Sequence, residues 1–200
     1  DMENKQTIWK ESVNKAFYGF MAYTLLSGII GAIVSMVSGA AGLASLANGG
    51  GGGALLGPII VAIIAVAGYV YYFLGIKGMS ESSVGYVIEE GTKKLFKGAK
   101  LGLIGAIIEC IPLISIVGTI LSIAGFVFML IGFDMIRKSA LNPQASKGAH
   151  QLWLVMVLTI VGAVISIIPL IGNIGSLICN ILVIVYAFLG WRNFSNSELQ

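Results

Sequence analysis

Few residues in this sequence could do chemistry, and their spacing narrows what that chemistry is. Glu109 is the one acidic side chain placed inside an apolar block. A carboxylate at membrane depth is costly and is by default a candidate for a proton relay or a cation path. With a turn at Pro112, Glu109 lies within one helical turn of a surface where headgroups and water also solvate it, so an interfacial role competes with ion or substrate contact. Asn173, Ser176 and Asn180 follow an i, i+3, i+7 spacing and share one helix face. Such side chains either hydrogen-bond across helices, worth about 0.6 to 2 kcal/mol each, or line a water-filled path, to which Ser166 could contribute. Asp134, beside Arg137 and Lys138, reads as a solvated ion-pair partner.

Other chemistries lack their residues. The chain has a single histidine, His150, beside Lys147 and Trp153, so no histidine-ligated metal site or Ser-His or Cys-His nucleophile pair is easily assembled. Cys110 and Cys179 both stand in apolar runs and read as small apolar side chains. Gly49 to Gly53 are not followed by Gly-Lys-Ser/Thr and read as a flexible turn instead of a phosphate loop. The expectation is a protein without catalysis, metal or cofactor.

The elements that must position these residues follow from composition. Of 200 residues 57% are apolar and only 10% charged, with mean hydropathy +0.94. A soluble domain carries roughly 25% charged residues, so this is a membrane protein. The formal charge of +3 comes from 12 Lys/Arg against 9 Asp/Glu, which excludes a basic nucleic-acid binder. Charges cut the chain into apolar blocks at about 16–47, 54–76, 101–133 and 151–190. One crossing takes about 20 residues, so the last two blocks are each a hairpin, turning at Pro112 and Pro169, where proline removes a backbone donor and disfavours helix in the preceding residue. The first two blocks form a third hairpin around the glycine run. The apolar stretch from Ala16 is longer than a signal-peptide core and reads as a retained first span, with Met2 the natural start.

The fold expected is all-α, a polytopic membrane helical bundle of six transmembrane helices in three tandem helical hairpins. A single integral membrane domain, 1–200, holds hairpins at about 16–76, 98–136 and 151–191, joined by cytoplasmic links 77–97 and 137–150. The third helix is short between Gly98 and Ile111, so an amphipathic segment carrying Val84, Val87, Ile88, Leu95 and Phe96 is expected to lead into it, capped by Ser82 or Ser83. An internal repeat supports the division: residues 105–118 and 162–175 agree at eight of fourteen positions, including the glycines and prolines. Tyr71-x-x-x-Gly75, Phe128-x-x-x-Gly132 and Tyr186-x-x-x-Gly190 mark the exits of the even helices. The turns at 48–54, 111–115 and 168–174 hold no Lys or Arg, so all 12 lie on one side, cytoplasmic by the positive-inside rule, with both termini inside.

Small residues suggest where helices touch. Ser27, Gly31, Ser35 and Gly39 form one small-xxx-small ridge, and Gly98, Gly102, Ala106 and Cys110 another. Trp9, Trp153 and Trp191, with Tyr18, Tyr23, Tyr71 and Tyr72, are expected in an interfacial aromatic belt.

The tandem hairpins, with Lys97-Gly98 or Lys147-Gly148 entering a span, an Ile-Pro-Leu-Ile turn and an aromatic-x-x-x-Gly exit, resemble small multispan prokaryotic membrane proteins catalogued as domains of unknown function. The resemblance covers about residues 90–194 and implies no activity, substrate or binding residue. It suggests a bacterial or archaeal inner membrane. The expectation is a homo-oligomer of transport or channel type, with the lipid bilayer and other copies or a partner membrane protein as its contacts. The alternative is a non-transporting scaffold, accessory subunit or immunity-type interaction protein.

Overall fold

A computed structural model of the chain describes residues 2–26, 56–109, 113–139, 141–168 and 172–199; at Glu109, Ser166 and Asn173 it describes the backbone alone. Six helices follow in order: α1 (Met2–Met21), α2 (Leu56–Ser82), α3 (Glu89–Glu109), α4 (Ser115–Ser139), α5 (Pro143–Ser166) and α6 (Gly172–Ser195). One wider, π-type stretch, Ala22–Leu26, continues α1. Among the described residues there is no strand. Four helices contain stretches long and apolar enough to cross a membrane: Ile63–Ser82, Ser115–Ser139, Pro143–Ile165 and Ile174–Ser195.

α3 departs from that pattern because its first turns carry Glu89, Glu90, Lys93, Lys94, Lys97 and Lys100. The amphipathic stretch ahead of the third span is therefore the first half of a continuous helix, with Ile88 and Leu95 buried. It begins later than expected. Val84 and Val87 are exposed in a turn, and Ser82 closes α2 instead of capping α3. Gly85 stands in that turn at φ 88°, a left-handed conformation favouring glycine. α5 has a conventional start, where Asn142 Oδ1 accepts from the backbone N–H of Gln144 at 2.9 Å and Pro143 occupies the first turn.

The chain divides into two compact units, residues 1–17 with 73–200, and residues 18–72. In the first, α3 packs mainly on α4 and α5 on α6, with a smaller contact between α4 and α5. The close approaches run antiparallel. Gly91, Gly98 and Gly105 of α3 face Gly132, Gly125 and Gly118 of α4, so that a methyl group on Gly98 would lie 2.6 Å from the Gly125 carbonyl oxygen. On α5 and α6, Gly148 lies against Gly190 and Phe194, and Gly162 against Cys179. Ala16 and Ser12 of α1 lie on Gly75 of α2 in the same manner.

These contacts repeat. Gly75 meets Ala16, Gly132 meets Leu95, and Gly190 meets Leu152. The residue after each glycine, Ile76, Phe133 or Trp191, is buried. The core of this unit gathers at the lysine-bearing ends of the helices: Trp9, Val13, Ile76, Met79, Leu95, Ile136, Leu152, Trp191 and Phe194 are all fully buried there. Toward the neutral turns, Ile116, Ile120, Ile123, Ile174, Leu177 and Ile181 are exposed. That is the distribution of a bundle whose outer surface meets hydrocarbon in place of water.

In the second unit Gly19 abuts the Tyr72 backbone and the Gly68 carbonyl, and Gly68 abuts Tyr23. Tyr23 meets Tyr69 edge-on at 5.3 Å between ring centroids. Thr24 Oγ1 donates to the Phe20 carbonyl at 2.7 Å.

Candidate functional site

The residues singled out from the sequence fall near the neutral turns. Glu109 is the last residue of α3 and Ser166 the last of α5, equivalent places in the repeat. Asn173 stands in the first turn of α6, and Asn180 two turns further along. Asn180 is exposed, with Leu177, Ile181 and Ile184 exposed around it. It makes no hydrogen bond to the described residues; Ser176, half-buried, stands one turn before it on the same helix. Ser27, Gly31, Ser35, Gly39, Cys110, Pro112 and Pro169 lie outside the described residues. Gly98 and Gly102 together flank Gly125: a methyl group there would lie 2.6 Å from the Gly98 carbonyl oxygen and 2.7 Å from the Gly102 nitrogen.

Polar chemistry concentrates at the opposite end. At the α4–α5 junction the Arg137 guanidinium lies 3.9 Å from the Trp153 ring centroid and 2.6 Å from Asp134 Oδ1. Lys138 Nζ takes the other carboxylate oxygen at 2.6 Å. Arg137 also reaches His150 Nδ1 at 3.2 Å, and the imidazole stacks on Trp153. A guanidinium can only donate, so in this contact Nδ1 is the acceptor. Ser146 Oγ, one turn into α5, donates to the Arg137 carbonyl at 2.7 Å and satisfies an end group of α4. The cluster, two cations on one carboxylate, is a clamp that fixes one helix junction. Asp134 is the paired residue the sequence indicated. The ring of His150 and the indole of Trp153 are the partners that sequence reasoning missed, and their i, i+3 spacing within one helix was the available signal.

The two chain ends form a second polar contact. Trp9 Nε1 donates to Ser197 Oγ at 3.3 Å, the backbone N–H of Leu199 to Gln6 Oε1 at 2.8 Å, and Ser195 Oγ to Asn14 Oδ1 at 2.7 Å. Trp9 and Trp191 are thus core residues, completely buried, and the expected aromatic belt loses both. Tyr72 is buried as well, whereas Tyr18, Tyr23 and Tyr71 are exposed. The reason is ring packing within the chain: Trp9 lies against Phe194, and Trp191 against Phe133 and Phe194.

Among the described residues no three His, Cys, Asp or Glu side chains come close enough to hold a metal ion. Cys179 is a buried free thiol against Gly162. Compared with family models, with curated proteins and with solved structures, the chain has no significant match in any of the three. The apolar helices suggest a membrane-embedded protein.

Proposed function

We propose that this chain is a non-catalytic integral membrane protein of three tandem helical hairpins, which assembles with further copies of itself in a prokaryotic inner membrane through the exposed face of α6. The one-sided placement of all 12 Lys and Arg supports six crossings with both termini cytoplasmic. Asn180 carries the assembly reading. A primary amide on an exposed helix face among Leu177, Ile181 and Ile184 is poorly solvated by lipid, and a partner helix supplies the hydrogen bond, worth about 0.6 to 2 kcal/mol. In a two-fold dimer the same residue meets itself. The filled core at the lysine-bearing end, with Trp9, Trp191 and Phe194 fully buried, favours helix faces over the interior of the chain as the working surface.

Transport is the second reading, and the same amide favours it: Asn180 and Asn173, with Ser166 and Glu109 nearer the turns, would border a hydrated path between copies. Cysteine introduced at Asn180, with Cys110 and Cys179 replaced by Ala, distinguishes the two. Assembly predicts an oxidative disulfide dimer in lipid and a shift to monomer in Asn180→Leu. A chain that stays monomeric on oxidation, with unaltered size in Asn180→Leu, removes this face. Ion flux through the reconstituted protein that Asn180→Leu or Glu109→Gln alters would move the conclusion to transport.

A further inference from the structure

The repeated contacts Ala16 on Gly75, Leu95 on Gly132 and Leu152 on Gly190 set the register of the three helix pairs. In that register Lys15 corresponds to Lys94, and beyond this level the second pair departs from the others. It carries Lys97 and Lys100 where the first has Tyr18 and Met21 and the third has Leu154 and Val157. Two cations therefore stand one and two helical turns deeper toward the neutral turn than their repeat mates allow.

Both lysines are exposed, and among the described residues no carboxylate pairs with either. Lys97 Nζ lies 4.4 Å from the centroid of Phe128 on α4, and Lys94 Nζ 5.7 Å from the same ring. Ile104 and Ile107 continue the exposed face of α3 beyond Lys100. On α4 the exposed apolar stripe Ile116, Ile120, Ile123, Val127 and Ile131 is uninterrupted. Gly98 crosses Gly125, which fixes the level of the lysines on α4. Ile131 stands about 9 Å past that crossing on the lysine-bearing side, at 1.5 Å per residue. A bilayer that covers Ile131 with hydrocarbon thus brings its acyl region past two ammonium groups on the adjoining helix. Lysine stems lie along apolar surface and carry the charge toward the headgroups, and phosphate is the anion the bilayer itself supplies at that boundary.

We propose that Lys97 and Lys100, flanked by Phe128, bind the phosphate of an anionic phospholipid and draw the headgroup layer inward along the exposed face of α3. The proposal rests on membrane embedding and not on the α6 contact, so the two readings fail separately. The test uses the whole protein exchanged into nanodiscs of phosphatidylglycerol or phosphatidylcholine, with retained lipid measured by native mass spectrometry. Wild type should retain phosphatidylglycerol preferentially. Lys97→Gln and Lys100→Gln should each weaken that preference about fivefold, the contribution expected of one lysine beside an anionic surface. Lys147→Gln, an exposed lysine on α5 away from this face, should leave it unchanged. The proposal is overturned if wild type shows no preference, if the double variant keeps it, if Lys147→Gln lowers it equally, or if millimolar inorganic phosphate displaces the lipid.

Discussion

Gly125 sits between the backbones of Gly98 and Gly102 with no room for a methyl group, since a Cβ there would come within 2.7 Å of atoms on both. Backbone atoms cannot yield as a flexible side chain can, so the helices must separate. Gly125→Ala should destabilise the fold by about 1 to 3 kcal/mol, read as a lowered unfolding midpoint in detergent, while Ala124→Gly one residue away should lose no such contact. Equal effects would remove the special role of the crossing. Glu89 offers a charge-based test at the same scale. Its carboxylate binds the Lys93 ammonium and accepts from the Gly85 N–H at 2.6 Å, which together hold its pKa below the ordinary glutamate value. A lowered folded pKa contributes stability above the unfolded value, about 4.3, and loses it as pH falls through the folded one. The Gly85 amide resonance should accordingly titrate with a midpoint below 4.3 and should stop titrating there in Glu89→Gln; a midpoint at or above the ordinary value contradicts the contact.

Helices were legible where apolar runs end in charge or proline. Ser115–Ser139 runs from the expected turn at 111–115 almost to its expected end, whereas Pro143–Ser166 starts eight residues before the apolar block at 151, because Asn142 caps a helix start inside the expected link 137–150. The break after Ser82 was not legible, because Val84, Val87 and Ile88 recur at helical spacing while Gly85 takes a left-handed turn that spacing does not report. Packing was half legible. A search for small residues every fourth position finds Gly98 and Gly102, yet the helices also meet at every seventh, Gly91, Gly98 and Gly105 against Gly118, Gly125 and Gly132. Seven residues is two turns, so each glycine returns to one face. The functional residues were least legible: an amide or carboxylate near a turn has the same sequence signature whether it meets water, lipid or another copy. Elements shaped in this way also bear on stability. Gly162→Leu, at a single contact with Cys179, should weaken α5–α6 pairing less than Gly98→Leu weakens α3–α4, where the Gly125 and Met129 backbones both lie within 2.8 Å. Thermal unfolding of the two variants in one detergent checks the order.

For the whole molecule, the side on which charges lie remains the sharpest test. Single cysteines at Gly51 and Lys147, in a background lacking Cys110 and Cys179, should label from opposite faces of the membrane; labelling of both from outside excludes six crossings. Between 22% and 33% of the residues in the four apolar spans are buried within the chain, so most span surface is available to lipid or another copy. What closes the lysine-bearing end is the meeting of Gln6, Trp9 and Asn14 with Ser195, Ser197 and Leu199. That meeting imposes an order on biosynthesis. The helices between them can enter the bilayer one pair at a time as the ribosome delivers them, but the indole of Trp9 must wait for Ser197, 188 residues behind it in the chain. Until translation has passed Ser197, Trp9 Nε1 lacks the acceptor it has in the fold, so this contact closes only after the helices between them have been made.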